Sequence, residues 1–197
     1  MKLKAAVVLL NFANRSALSR IVDNLRRIFP HEWELLNSDF NAIDFFSPAR
    51  NQYYSTKILE KILHSYNEKF DKILLVTDHD LYVPVLTFVF GEAQLSGTAA
   101  VVSTCRLHQE FYGLPTDDHI LLDRLEKEIF HELGHTFGLR HCRDWNCVMH
   151  SSSNIDEIDI KPKDFCKTCS KKIQSSAEEK IPSRHVGMES FNVLTFI

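Results

Sequence analysis

The order of apolar and polar positions divides the first hundred residues into short buried runs and amphipathic stretches. Lys4–Phe12 is nearly continuous in apolar residues and predicts a buried strand. A secretory leader fits less well, because AAVVLL is short and no small-residue cleavage site follows it. Leu18, Ile21, Val22, Leu25 and Ile28 recur at helical spacing, with Ser16 placed to cap the helix and Pro30 just past its end. Glu32–Leu36 reads as a second strand, and Asn41–Gln52, which contains Pro48, as irregular. Ser55–Phe70 carries Ile58, Ile62 and Tyr66 on one helical face. Lys72–Thr77 suits a central strand, Leu86–Phe90 a further one, and the TAAVVST run after Gly97 another, ending near Thr104.

Strands alternating with helices imply an α/β fold, a mixed sheet with helices packed against it. Pro115-Thr116-Asp117-Asp118 then opens a helix with acidic residues where the helix dipole favours them. Leu122, Leu125, Ile129 and Leu133 form its buried stripe to about Phe137. Beyond Gly138 the chain is rich in Cys, Asp, Asn and Ser. Residues 1–138 therefore read as an α/β subdomain bearing this helix. Residues 139–197 read as a small second subdomain whose own core is too thin to hold unaided, both within one compact domain. Ser175–Ile197 carries no pattern that places it.

Composition adds boundaries rather than a function. At 44% hydrophobic and 25% charged, the 197-residue chain can build a core. A net charge of −3 gives no general attraction to nucleic acid or to an anionic membrane, and no apolar run approaches the roughly 18 residues of a membrane helix. A monomeric cytoplasmic protein is expected. In a reducing compartment its five cysteines would not form stable disulfides. Cys105 stands apart as a small core residue. Cys142, Cys147, Cys166 and Cys169 cluster, which favours a metal.

The chemistry concentrates in HELGHTFGLRHCRDWNCVMH, residues 131–150. His131-Glu132-x-x-His135 places two imidazoles about 40° apart and about 6 Å along one helix, so both reach one ion, with Glu132 beside them to take a proton from a metal-bound water. In a continuing helix His141 would be rotated by about 240° and point away. Gly138 can adopt the left-handed conformation that ends the helix and returns His141 to the ion. Three neutral histidines leave zinc an open fourth position, the layout of a catalytic site.

The spacing Cys142-x4-Cys147-x18-Cys166-x2-Cys169 suits a second, closed zinc that folds a segment with little core. A Cys166–Cys169 redox pair, two disulfides, and a zinc module for nucleic acid are the alternatives. The last draws on Lys161, Lys163, Lys167, Lys171 and Lys172, whose simpler task is to balance the four thiolates. His141 and Cys142 would then serve different ions from opposite sides of one backbone step. His79, His108, Tyr112 and Arg106 are possible substrate-side groups. His150 and His185 are possible competitors for metal without the right spacing.

The elongated histidine motif, the Cys directly after its third His, Cys147-x-Met149 and the late C-x-x-C together resemble the archaemetzincins, a branch of the metzincin zinc metallopeptidases. The matching motifs span about a fifth of the chain. The resemblance implies a metzincin-like fold, a mostly parallel sheet on two helices, the second carrying His131 and His135. It implies two zinc ions per chain, a catalytic one on His131, His135 and His141 with Glu132 as base, and a structural one on the four cysteines. It also implies a Met-turn at Met149 and a peptide or protein substrate. The antiparallel edge strand that borders a metzincin cleft is assigned by position to Thr98–Thr104, with a central strand as the alternative. Ser151 stands where some metzincins carry a metal-binding tyrosine, and no oxyanion donor can be named. A zinc-containing peptide-binding module with little hydrolysis is the rival reading.

Overall fold

The computed structural model describes residues 3–14, 16–29, 31–178 and 193–194. The side chain of Ser16, together with Pro30 and His185, lies outside the described residues. The elements run β1 (Leu3–Leu10), α1 (Ser16–Ile28), β2 (His31–Asn37), β3 (Phe46–Ser47), β4 (Gln52–Tyr54), α2 (Ser55–Tyr66), β5 (Lys72–Thr77) and β6 (Leu81–Tyr82). They continue with β7 (Gly91–Gln94), β8 (Ala99–Ser103), α3 (Asp118–Thr136), α4 (Ile155–Ile160), α5 (Lys167–Glu178) and β9 (Val193–Leu194).

The main sheet has the order β2-β1-β5-β8-β7-β9. Pairing is parallel from β2 through β8 and antiparallel on both sides of β7. Side chains alternate across β1 because successive Cβ atoms leave a strand on opposite faces. Ala5, Val7 and Leu9 meet α1 and α3 on one face, while Ala6, Val8 and Leu10 meet α2 on the other. The mixed α/β sheet is as expected, but three long helices rather than two cover it.

Two strand assignments are corrected. Thr98–Thr104 is not the edge strand: β8 is fully buried and lies between β5 and β7. Its uninterrupted apolar run is the mark of a strand covered on both faces, so the central-strand alternative holds. The antiparallel strand beside it is β7, read from GEAQ. Leu86–Phe90 is not a strand but a turn leading into β7, tied down by a single bridge between Leu81 and Val89.

His31 at the start of β2 is a buried titratable group away from the cysteine and histidine clusters. It is 6% exposed, and neither ring nitrogen has a hydrogen-bond partner among the described residues. Its ring meets Phe137 at 5.6 Å. Burial, helped by the nearby Lys72 ammonium, lowers its pKa from 6.5 to about 4. The unfolded chain therefore binds a proton that the folded one refuses as pH falls through this window. The associated stability is complete above about 6.5, is lost progressively toward pH 4, and totals about 3 kcal/mol. In urea titrations at pH 7 and pH 5, His31→Leu is expected to lose about 2 kcal/mol less than the parent on acidification. An equal loss in both would show that His31 is not the responsible group.

Candidate metal centres

The histidine-bearing helix begins and ends as its sequence dictates. Asp117 caps α3, its carboxylate accepting from the backbone N–H of His119 at 2.9 Å and of Ile120 at 3.1 Å. At the other end Gly138 has φ +82°, its N–H donates to His135 O at 2.9 Å, and Leu139 N–H donates to Gly134 O at 3.1 Å. This pair of bonds is a Schellman motif, which only a left-handed residue such as glycine closes without strain. The reversal brings His141 back to the face that carries His131 and His135.

Two of the three rings are held by their outer nitrogens. His131 Nδ1 lies 2.9 Å from Val148 O, and His135 Nδ1 lies 2.7 Å from Leu139 O. A carbonyl can only accept, so each Nδ1 carries the proton and each Nε2 presents a lone pair. Those lone pairs converge, with His131 Nε2 3.1 Å from His135 Nε2 and 3.2 Å from His141 Nε2. A tetrahedral zinc with nitrogens at about 2.05 Å would set neighbouring ligand nitrogens about 3.3 Å apart. Burial holds all three imidazoles below their ordinary pKa, His141 at about 4, and so keeps them in the neutral form that ligates.

Glu132 lies on the same helix beneath β7. A Cβ on Gly91 would fall 2.6 Å from Glu132 Cγ and 2.7 Å from Val101 O, so only glycine lets this strand cross so close to the carboxylate. Burial raises the Glu132 carboxyl well above the usual carboxylate range, and the nearby Glu128 and Glu92 carboxylates act in the same direction. Gly134, between the two helical histidines, is needed for a similar reason: a Cβ there would collide with Met149 Sδ. Met149 is fully buried, with its sulfur against the helix at Gly134.

The four sulfurs form a second group, with ligand atoms within 4.8 Å of one another. All four cysteines are free thiols, which removes the disulfide alternative. Cys142 Sγ and Cys166 Sγ lie 3.9 Å apart, near the roughly 3.8 Å that tetrahedral zinc–sulfur bonds of about 2.3 Å would give. Cys166 N–H donates to Cys147 Sγ at 3.3 Å, and Ser170 N–H to Cys166 O at 2.9 Å. Burial pushes the Cys147 and Cys169 thiols up, whereas the Cys169 backbone amide lowers Cys166. Both groups fit a metal ion, one through converging neutral imidazoles and the other through clustered thiols. One backbone bond ties them together: Cys142 N–H donates to Met149 O at 2.9 Å, closing the loop that follows His141.

The remaining expected residues have other tasks. Cys105 is half-buried in a turn, where burial pushes its thiol up to about 11. Arg106 donates to Asp80 at 2.6 and 2.8 Å, its guanidinium between the Phe88 and Phe111 rings. Tyr112 Oη donates to Arg106 O, His79 stacks on Tyr53, and His108 lies 3.7 Å from Glu110. His150 packs at a tilt against Trp145, with Nδ1 3.0 Å from Cys142 O, so it braces the cysteine loop. Lys161 and Lys163 do not sit as counter-charges to the thiols. They pair with Glu128, and with Asp123 and Glu126, on α3.

Sequence reading also missed how deeply α3 is buried. Its polar residues Arg124, Glu126, Lys127 and Glu128 are covered by the segment from Ile155 to Lys163, and each has a partner there. Arg124 donates twice to Asp159 at 2.7 Å, and Lys127 Nζ donates to Ile158 O and Asp159 O at 3.0 Å, satisfying carbonyls at the end of α4. Glycine at an interior helical position, as at Gly134, was the one available signal of close packing.

The model of Peptidase family M54 matches residues 15–175. The archaemetzincin of Saccharolobus solfataricus is 35% identical over 176 residues, covering 88% of this chain and 94% of that protein. The crystal structure of the archaemetzincin from Methanopyrus kandleri superimposes with a TM-score of 0.78 at 34% identity, over 90% of this chain and 96% of that one. That of the Archaeoglobus fulgidus archaemetzincin, complexed with malonate, gives 0.73 at 35% identity, over 86% and 99%. With its converging imidazoles, its cysteine cluster and this likeness along most of its length, the chain belongs to peptidase family M54, the archaemetzincin family of zinc-dependent metallopeptidases.

Proposed function

We propose that the protein hydrolyses peptide bonds with a zinc ion held by His131, His135 and His141, with Glu132 as general base. The single observation that carries this assignment is the convergence of the three Nε2 atoms while the Nδ1 atoms of His131 and His135 are held by carbonyls. A zinc ion held there would supply Lewis acidity, acidifying the attacking water and polarising the scissile carbonyl. Glu132 takes the proton of the attacking water and passes it to the departing amine nitrogen. Burial raises the Glu132 pKa, and a dication held by the three imidazoles would favour the ionised carboxylate against that effect.

Cys142, Cys147, Cys166 and Cys169 hold a second zinc of purely structural use. Met149 forms the floor under the histidines, and the chain divides at Gly138 into the two subdomains read from the sequence. Among the described residues no helix is long and apolar enough to cross a membrane, and a cytoplasmic monomer acting on peptides or proteins is the proposed setting. Incubating the zinc-loaded protein with a mixed peptide library and reading the products by mass spectrometry tests the activity. Cleavage that stops on chelation and returns with zinc is expected. Intact peptides that nonetheless bind would favour a binding module.

A further inference from the structure

β7 is the strand that crosses the histidine-bearing part of α3. Gly91, at its start, passes over Glu132. The turn after its end is tied to α3 by Ser96 N–H, which donates to His135 O at 2.9 Å. The strand therefore runs from the carboxylate toward the second histidine. On the β8 side, Phe90 O accepts from Ser103 N–H at 2.8 Å. Main-chain groups alternate sides along a strand, so the N–H and C=O of Gly91 and Ala93 point away from β8. An edge of this kind is where an extended peptide adds itself to a sheet through backbone hydrogen bonds.

That edge is taken at one end by the chain itself. β9 pairs with it antiparallel, Leu194 opposite Ala93 and Val193 opposite Gln94. Ala93 is two residues from Gly91, about 7 Å along the strand. One strand edge has one row of donors and acceptors, and a second strand cannot share it. β9 also lies outside residues 15–175, the part of the chain that the family model matches. Its anchor is close by. In α5, the helix before it, Ser176 Oγ donates to Phe137 O at 3.2 Å, just past the metal-binding end of α3. Pairing of β9 with β7 is therefore intramolecular and is not weakened by dilution.

We infer that β9 is an intramolecular competitor of the substrate: residues 193–194 hold the edge of β7 along which an extended peptide binds beside the histidines, and must leave it before a peptide can pair there. The inference rests on the peptidase assignment above, which supplies the competing peptide. Two residue pairs among the described residues make a weak, reversible block. It lowers the apparent affinity by the fraction of molecules in which the edge is open, and it leaves the chemical step alone.

The test compares the zinc-loaded full chain with its Val193→Pro, Leu194→Pro variant. Proline has no N–H and disrupts such a ladder. Neither residue belongs to the histidine or cysteine cluster, so the metal content should be unchanged. Hydrogen exchange followed by NMR reads the Ala93 amide, which should exchange about tenfold faster in the variant. Calorimetry with a tetra-alanine hydroxamate reads the edge without turnover, and the variant should bind it about tenfold more tightly. In peptide hydrolysis KM should fall by a similar factor, with kcat within twofold of the parent. Equal exchange of the Ala93 amide in both proteins overturns the pairing. Faster exchange with unchanged hydroxamate affinity overturns the competition. Tighter hydroxamate binding by the variant without any cleavage would defeat only the peptidase assignment. Cleavage that stops on chelation, with the same KM in both proteins, would defeat only the competitor. Absence of hydroxamate binding by either protein would defeat both.

Discussion

Replacing Glu132 with glutamine is expected to lower peptide hydrolysis by about 10²- to 10⁴-fold while leaving the metal content unchanged. The substitution keeps the shape of the side chain, so it still fits under Gly91, whose missing Cβ leaves room for Glu132 Cγ. It also leaves the rings of His131 and His135 on their Val148 and Leu139 carbonyls. What is lost is the capacity to accept a proton from water. Parallel measurements of turnover and of zinc by atomic spectroscopy separate this from collapse of the site. Zinc retained with turnover within twofold of the parent would remove Glu132 from the mechanism.

The second large effect is expected at the cysteine cluster. Cys166→Ser should abolish binding of one zinc and lower thermal stability. Metal binding of this kind is folding energy, on the order of 10 kcal/mol in small zinc modules. The consequence should reach the histidine site. Cys142 follows His141 directly, and its N–H holds Met149 O at 2.9 Å, so the cysteine cluster fixes the segment that aims the third imidazole. Loss of such a support elsewhere costs about 10- to 100-fold in metal affinity, and a weakening of that size at the histidines is expected here. Competition with a chromophoric chelator measures both sites. Unchanged affinity at the histidine site in Cys166→Ser would show that the two sites are independent.

What could be read from the sequence follows the range of the signal. β1, α1, β5 and the start of α3 at Asp117 are encoded within a few residues, by apolar runs, helical spacing and a capping side chain. The end of α3 at Gly138 is equally local, and so is the grouping of the histidines and of the cysteines into two clusters, because their spacing limits the geometries they can adopt. Strand order and direction are not local, and the pattern of TAAVVST says that it is buried without saying where in the sheet it lies. GEAQ was passed over because four residues with a glycine and two polar side chains carry no strand signal; its β character comes from pairing with β8. Glu128 and Lys161 are 33 residues apart, and nothing near either one marks the pair. Proximity in sequence points the lysines near the C-x-x-C to the thiolates, whereas folding of the segment from Ile155 onward brings two of them to α3.

Metal stoichiometry tests the account most directly. Two zinc ions per chain are predicted for the parent, with only the histidine-site ion lost in His131→Ala and the cysteine-site ion lost in Cys166→Ser. A single zinc per chain in the fully loaded parent would contradict the two-site account.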